Sequence, residues 1–269
     1  MPLRTETNKA LGMAELVREI LSSLDEVAGL EAIWKRGVVH AGGPHYRLKG
    51  TLGPVSLGVD ECLVFGKLIE EFKPVNCFII GNAFGMSSVF IAKMMELNGG
   101  NSVITLDSKS EGDGDRCYVA AASLKDRMKC CILNNKCGWS PQDVEKSVES
   151  SRYDLIFIDG DHSHPQVSRD FHAVKQFAGE DSILCWHDYW MAGVPESVAE
   201  AQQAGYHCAK VNTSCEMVFG TKSKSVFQRI QALFPNTEEP RPRSRPLAWL
   251  KLYSALCVGA IKVYVLRQR

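Results

Sequence analysis

The sequence predicts an α/β fold: a doubly wound, mostly parallel sheet with helices on both faces. Three observations carry this. After Pro74, short uninterrupted apolar runs alternate with segments of helical periodicity. The runs are apolar throughout, as in strands covered on both faces. Several end abruptly in Gly or Asp, where ligands of such sheets gather.

The elements follow in order. Apolar residues recur at helical spacing from Asn8 to Leu24, and "VHAGGPHYRLKGTLGPVSLG" reads as loop. "VDECLVFGKLIEEF" reads as a helix stopping before Pro74. The strands "NCFIIG", "SVITLD", "KCCIL", "YDLIFID" and "DSILCWHD" are each followed by a helix: "MSSVFIAKMMEL", "CYVAAASLKDRM", "PQDVEKSVESS", "PQVSRDFHAVKQF" and "VPESVAEAQQAG". "CEMVFGT" is a late strand. The expected organisation is an N-terminal helical cap and substrate-side loop over 1–73, a cofactor-binding domain over 74–222, a connecting helix and Pro/Arg-rich linker over 223–246, and an amphipathic helix over 247–269.

Composition narrows the function. The 269 residues carry 31 basic and 31 acidic side chains, so no basic excess marks a nucleic-acid binder. From Thr237 onward there are seven basic residues and two acidic ones, an asymmetry that suggests an appended segment with its own partner. Leu247 to Leu266 reads as a helix with a narrow polar stripe at Lys251 and Lys262. It suits a membrane interface or packing against its own domain or a second subunit, which makes a homo-oligomer one expectation. The ten cysteines include no CxxC pair, and the N-terminus lacks a signal-peptide core. The expected location is the cytoplasm, with the inner face of the membrane as the alternative.

Candidate chemistry lies at the strand ends. "FIIGNAFGMSS" offers Gly81, Asn82, Phe84 and Gly85 as a loop before a helix N-terminus. It has neither the GxGxxG of a dinucleotide site nor the GK[ST] of a P-loop. Asp107 stands where an acid accepts hydrogen bonds from a ribose, or caps a helix. "IDGDHSH" crowds Asp159, Asp161, His162 and His164 together, and "WHDYW" supplies His187, Asp188, Tyr189 and Trp190.

The order of GxxxG loop, strand-end Asp, "FIDGDH" and "HDYW" resembles a class I S-adenosyl-L-methionine-dependent methyltransferase, and more narrowly the small-molecule and sugar O-methyltransferase branch. The resemblance spans roughly residues 55 to 220. It implies a Rossmann-like fold and transfer of a methyl group to a hydroxyl of a sugar, glycan or small metabolite. Gly81, Asn82, Phe84 and Gly85 would shape the methionine loop, and Asp107 would hold the ribose. Gly138, Trp139 and Ser140 would flank the adenine, with Trp139 packing and Ser140 capping a helix as the structural alternative. Asp159 and Asp188 would bind a divalent cation such as Mg2+, and His162 would be the base. Asp161 and His164 read as turn residues, and His172 as helix surface. Two positions depart from the pattern: Ile79 and His187 stand where relatives commonly have acids. They support a rival reading, a non-catalytic binding or assembly protein on the same fold; the resemblance to the wider group also admits a related metal-dependent hydroxylase-like enzyme.

Overall fold

The computed structural model describes residues 57, 59–82, 86–107, 128–132, 141–148, 152–191, 193–213 and 215–241. The sequence-predicted helices over 8–24 and 247–266 lie outside these, as do residues 117–127 of the helix predicted over 117–128, whose last residue, Met128, instead opens a strand. The Pro/Arg stretch beyond residue 241 and Phe84, Gly85, Gly138, Trp139 and Ser140 also lie outside.

The described elements are α1 (Val59–Phe72), β1 (Asn76–Ile80), α2 (Met86–Leu97), β2 (Ser102–Asp107), β3 (Met128–Ile132), α3 (Pro141–Ser147), β4 (Tyr153–Ile158), α4 (His164–Val174), β5 (Ala178–Trp186), α5 (Val194–Gln203), β6 (His207–Val211), β7 (Met217–Thr221) and α6 (Lys224–Leu233). The strands form one seven-stranded sheet in the order β3-β2-β1-β4-β5-β7-β6. β3, β2, β1, β4 and β5 run parallel. β7 pairs antiparallel with both β5 and β6.

The pleat sorts each strand's side chains between two cores. Cys77, Ile79, Leu155, Phe157, Ile183 and Cys185 face the core beneath α1, α2 and α6. Their neighbours Phe78, Ile80, Ile156, Ile158, Leu184 and Trp186 face the opposite core with residues of α3, α4 and α5. Each fully buried Phe or Leu contributes about 1.5–3 kcal/mol of apolar burial. The sheet is therefore doubly covered, as its apolar runs predict. α1 and α6 both pack into the first core, through Phe65 and Leu68 and through Val226 and Ile230.

Two sequence expectations are corrected at their edges, and one strand is added. β5 starts at Ala178, three residues before the apolar run, because Tyr153 pairs with Ala178 ahead of a register shift. The fourth helix ends at Val174 and tightens into a 3-10 turn over Lys175–Phe177. β6 is a strand the sequence pattern did not reveal, paired from His207 to Val211 along β7.

The parallel ladder runs slightly past the strands. Gly81 N–H donates to the Leu106 carbonyl (2.9 Å), Asp159 N–H to Ile80 (2.8 Å) and His187 N–H to Ile158 (3.2 Å). These bonds set Gly81, Asp159 and His187 side by side at the carboxyl edge of the sheet.

Candidate active site

Two groups of residues occupy this edge. The first surrounds β1. Gly81 has φ +89°, a conformation that favours glycine. A side chain there would also collide with the backbone of Asp159, reaching its carbonyl carbon at 2.5 Å and the Gly160 Cα at 2.9 Å. Asn82 N–H donates to Asp107 Oδ2 at 2.6 Å, tying the start of the glycine loop to the end of β2. The sequence-predicted residues Gly81, Asn82 and Asp107 are thus brought together, while Phe84, Gly85, Gly138, Trp139 and Ser140 fall outside the described residues.

The second group surrounds β4 and β5. His162 Nε2 lies 3.5 Å from Asp159 Oδ1 and 3.3 Å from Asp188 Oδ2. That nitrogen is buried and makes no well-formed hydrogen bond. His187 Nδ1 lies 3.0 Å from Asp159 Oδ1 and 3.3 Å from Asp188 Oδ2. Two carboxylates therefore sit between two imidazoles. Ligand atoms of Asp159, His162 and Asp188 all lie within 4.8 Å of one another.

Local structure aims these groups. Asp161 Oδ1 accepts from Ser163 N–H at 2.7 Å, which closes the turn and leads into α4 at His164, with Pro165 in its first turn. Gly193 lets this turn dock, because a side chain there would collide with the backbone of His162 and His164 and reach the Ser163 carbonyl carbon at 2.6 Å. Asp188 has φ +53°, a left-handed conformation in which Asp is better tolerated than most residues. Its Oδ1 accepts from Trp190 Nε1 at 2.7 Å, leaving Oδ2 toward the histidines. Tyr189 is buried, and its hydroxyl donates to the Arg241 carbonyl at 2.8 Å. His164 and His172 point away from the cluster and both reach Glu200 on α5.

The electrostatics follow from crowding. Burial disfavours the Asp159 carboxylate, but His187 and then His162 overturn that and hold it well below the usual carboxylate range. Asp188 is lowered in the same way, chiefly by His187 against burial. Burial pulls His162 and His187 down, and the carboxylates more than offset it, so both stand above the ordinary imidazole value.

One participant had no sequence signal. Glu61, in the first turn of α1, is fully buried, and its Oε2 lies 3.1 Å from His187 Nε2. Its Oε1 accepts from Cys215 N–H and from Thr213 Oγ1, each at 3.0 Å. Ligand atoms of Glu61, His187 and Cys215 also lie within 4.8 Å of one another.

Residues 78–189 match the model of a methyltransferase domain. No curated protein matches the chain by sequence. Among solved structures, the chain is similar to an O-methyltransferase of Bacillus cereus in complex with S-adenosylhomocysteine. They share 14% identity and a TM-score of 0.50 over 74% of this chain and 90% of that one. It is also similar to an O-methyltransferase of Streptomyces achromogenes involved in tomaymycin synthesis, solved with S-adenosylmethionine. There the identity is 9% and the TM-score 0.52, over 74% and 88% of the two chains. A methyltransferase of Podospora anserina bound to S-adenosylhomocysteine gives 12% identity and a TM-score of 0.52 over 83% and 98%. At these identities the likeness is one of fold. Among the described residues no helix is long and apolar enough to cross a membrane.

Proposed function

We propose that this chain, whose residues 78–189 match the model of a methyltransferase domain, transfers a methyl group from S-adenosyl-L-methionine to a hydroxyl of a sugar, glycan or small metabolite. The observation that carries the reading is the convergence of His162, Asp159 and Asp188 beside the edge formed by Gly81 and Asp107. At one end of this edge Gly81 and Asp107 would take the nucleoside, and at the other His162 stands beside two carboxylates where a base would be needed.

S-adenosylmethionine, when bound, supplies a methyl group on a sulfonium. Gly81 keeps the backbone low where the methionine portion would lie, and Asp107 would accept from the ribose hydroxyls. His162 Nε2 would take the acceptor's hydroxyl proton. The acceptor oxygen so deprotonated would be free to take the methyl group, the leaving sulfur becoming the neutral thioether of S-adenosylhomocysteine. The proton would end on His162, and the Asp159 and Asp188 carboxylates beside it, which raise its pKa against the effect of burial, would stabilise the imidazolium.

The donor set also fits a divalent cation. Two strand-end carboxylates, Asp159 and Asp188, stand close enough together to offer hard oxygen ligand atoms. Asp159 and Asp188 would hold it, and its chemistry there is to polarise an acceptor oxygen.

The test is calorimetric titration with S-adenosylmethionine, followed by methyl transfer to a panel of glycosides and small alcohols. Failure to bind S-adenosylmethionine would remove this reading. Binding without transfer to any acceptor would favour a non-catalytic protein on the same fold.

A further inference from the structure

Glu61 lies outside the matched domain, yet it reaches the candidate site. A carboxylate buried without compensation is costly, and apolar residues would pack α1 on the sheet more cheaply. Glu61 is instead surrounded by donors: Cys215 N–H, Thr213 Oγ1 and His187 Nε2. The pairs span 154, 152 and 126 residues of sequence. His187 is itself pinned from the side, because the Phe157 ring meets it edge-on with centroids 6.0 Å apart. Its Nε2 edge is thus held by Glu61, and its Nδ1 edge is presented to Asp159 and Asp188.

An imidazole that binds a cation through one nitrogen is commonly oriented by a carboxylate on the other. Glu61, His187 and the Asp159–Asp188 pair stand in that relation. We infer that Glu61 is a positioning residue: through His187 Nε2 it holds His187 Nδ1 toward the carboxylate pair, so that His187 joins Asp159 and Asp188 as a donor to a divalent cation. The effect of Glu61 on turnover rests on the methyltransferase reading; its effect on cation binding does not. His187 then replaces the acid expected at its position, with Glu61 supplying the negative charge one shell further out.

The probe is Mn2+, titrated into the full chain and followed by electron paramagnetic resonance. S-adenosylmethionine affinity is measured in parallel by calorimetry, and kcat and KM are measured where an acceptor is available. Glu61→Gln is nearly isosteric and keeps an acceptor for Cys215 N–H while removing the charge facing His187. It is expected to weaken Mn2+ binding about 10–100-fold and to lower kcat, with S-adenosylmethionine affinity unchanged. Thr213→Val removes a different partner of Glu61 and leaves His187 untouched, so Mn2+ affinity should hold. If Glu61→Gln loses S-adenosylmethionine binding through misfolding, Glu61→Asp keeps the charge but withdraws it from His187, and the same loss of Mn2+ affinity is expected. Equal Mn2+ binding by the unaltered chain and the folded Glu61 variant, tight or absent, overturns the inference. So does an equal loss in Thr213→Val. A chain that binds Mn2+ in a Glu61-dependent way but never binds S-adenosylmethionine overturns the methyltransferase reading and leaves the role of Glu61 standing.

Discussion

Gly81 and Asp159 meet backbone to backbone: a Cβ on Gly81 would stand 2.5 Å from the Asp159 carbonyl carbon. The glycine loop after β1 and the carboxylate after β4 therefore cannot move independently. Gly205 has the same φ of +89° but nothing within 4 Å of where its Cβ would lie. Gly205→Ala should cost only the strained conformation, about 1 kcal/mol. Gly81→Ala should cost about 1–3 kcal/mol more, because the overlap adds to the strain. Urea denaturation of both variants measures this, and equal losses would show that the two loops can separate freely.

Asp107 tests the cofactor half. Its Oδ2 already receives the Asn82 N–H, so its carboxylate both shapes the loop and faces the proposed ribose site. Asp107→Ala should weaken S-adenosylmethionine binding by about 10–100-fold, the effect of losing charge-assisted hydrogen bonds worth roughly 1.5–3 kcal/mol. Calorimetry on the folded variant reads the change directly. An unchanged affinity would place the ribose elsewhere.

Asp188 tests the other half. Asn tolerates the left-handed backbone that Asp188 adopts, so Asp188→Asn removes the charge with little disturbance of the turn. Transfer should fall at least about tenfold, in line with the loss of a charged ligand or partner. EDTA should likewise abolish transfer by the unaltered chain, and added Mg2+ or Mn2+ should restore it. Methylation that survives exhaustive chelation would confine Asp159 and Asp188 to holding His162.

Burial pushes the thiols of Cys208 and Cys215 up from 9.0 to about 12. In the unfolded chain such thiols ionise near their ordinary value, so the native state keeps protons that the unfolded state loses. Their contribution to stability is complete below about pH 9 and is lost as pH rises from 9 toward 12. Cys208→Ala, which removes one such group, should flatten the decline by up to about 1.4 kcal/mol per pH unit across that range. Urea titrations at several alkaline pH values supply the slope. At neutral pH both thiols should resist thiol reagents until denaturant is added.

The central strands were legible because burial on both faces leaves an unbroken apolar run, as in "NCFII" and "YDLIFI". β6 was not. "HCAKV" sits at the sheet's edge, where His207 is exposed and Lys210 is only partly covered, and two polar residues in five erase the pattern. Asp159, His162 and Asp188 were legible as strand-end polar residues, and the structure does bring them within reach of one another. Glu61 was not, because an acid in the first turn of a helix is ordinary. Its meaning lies in partners more than a hundred residues away, which no local pattern records.

The strand order also fixes a sequence of events. β6 precedes β7 in the chain but lies outside it, so β6 reaches the sheet only through residues 217–221, whether β7 pairs along β5 first or the two strands dock together as a hairpin. During synthesis, β5 would wait with one bare edge until nearly the whole described chain had emerged. Through that interval the newborn protein presents the "ILCW" edge to any other nascent strand it meets. The same late hairpin carries Thr213 and Cys215 to Glu61, so the docking that covers the bare edge of β5 also supplies the donors that the buried carboxylate needs.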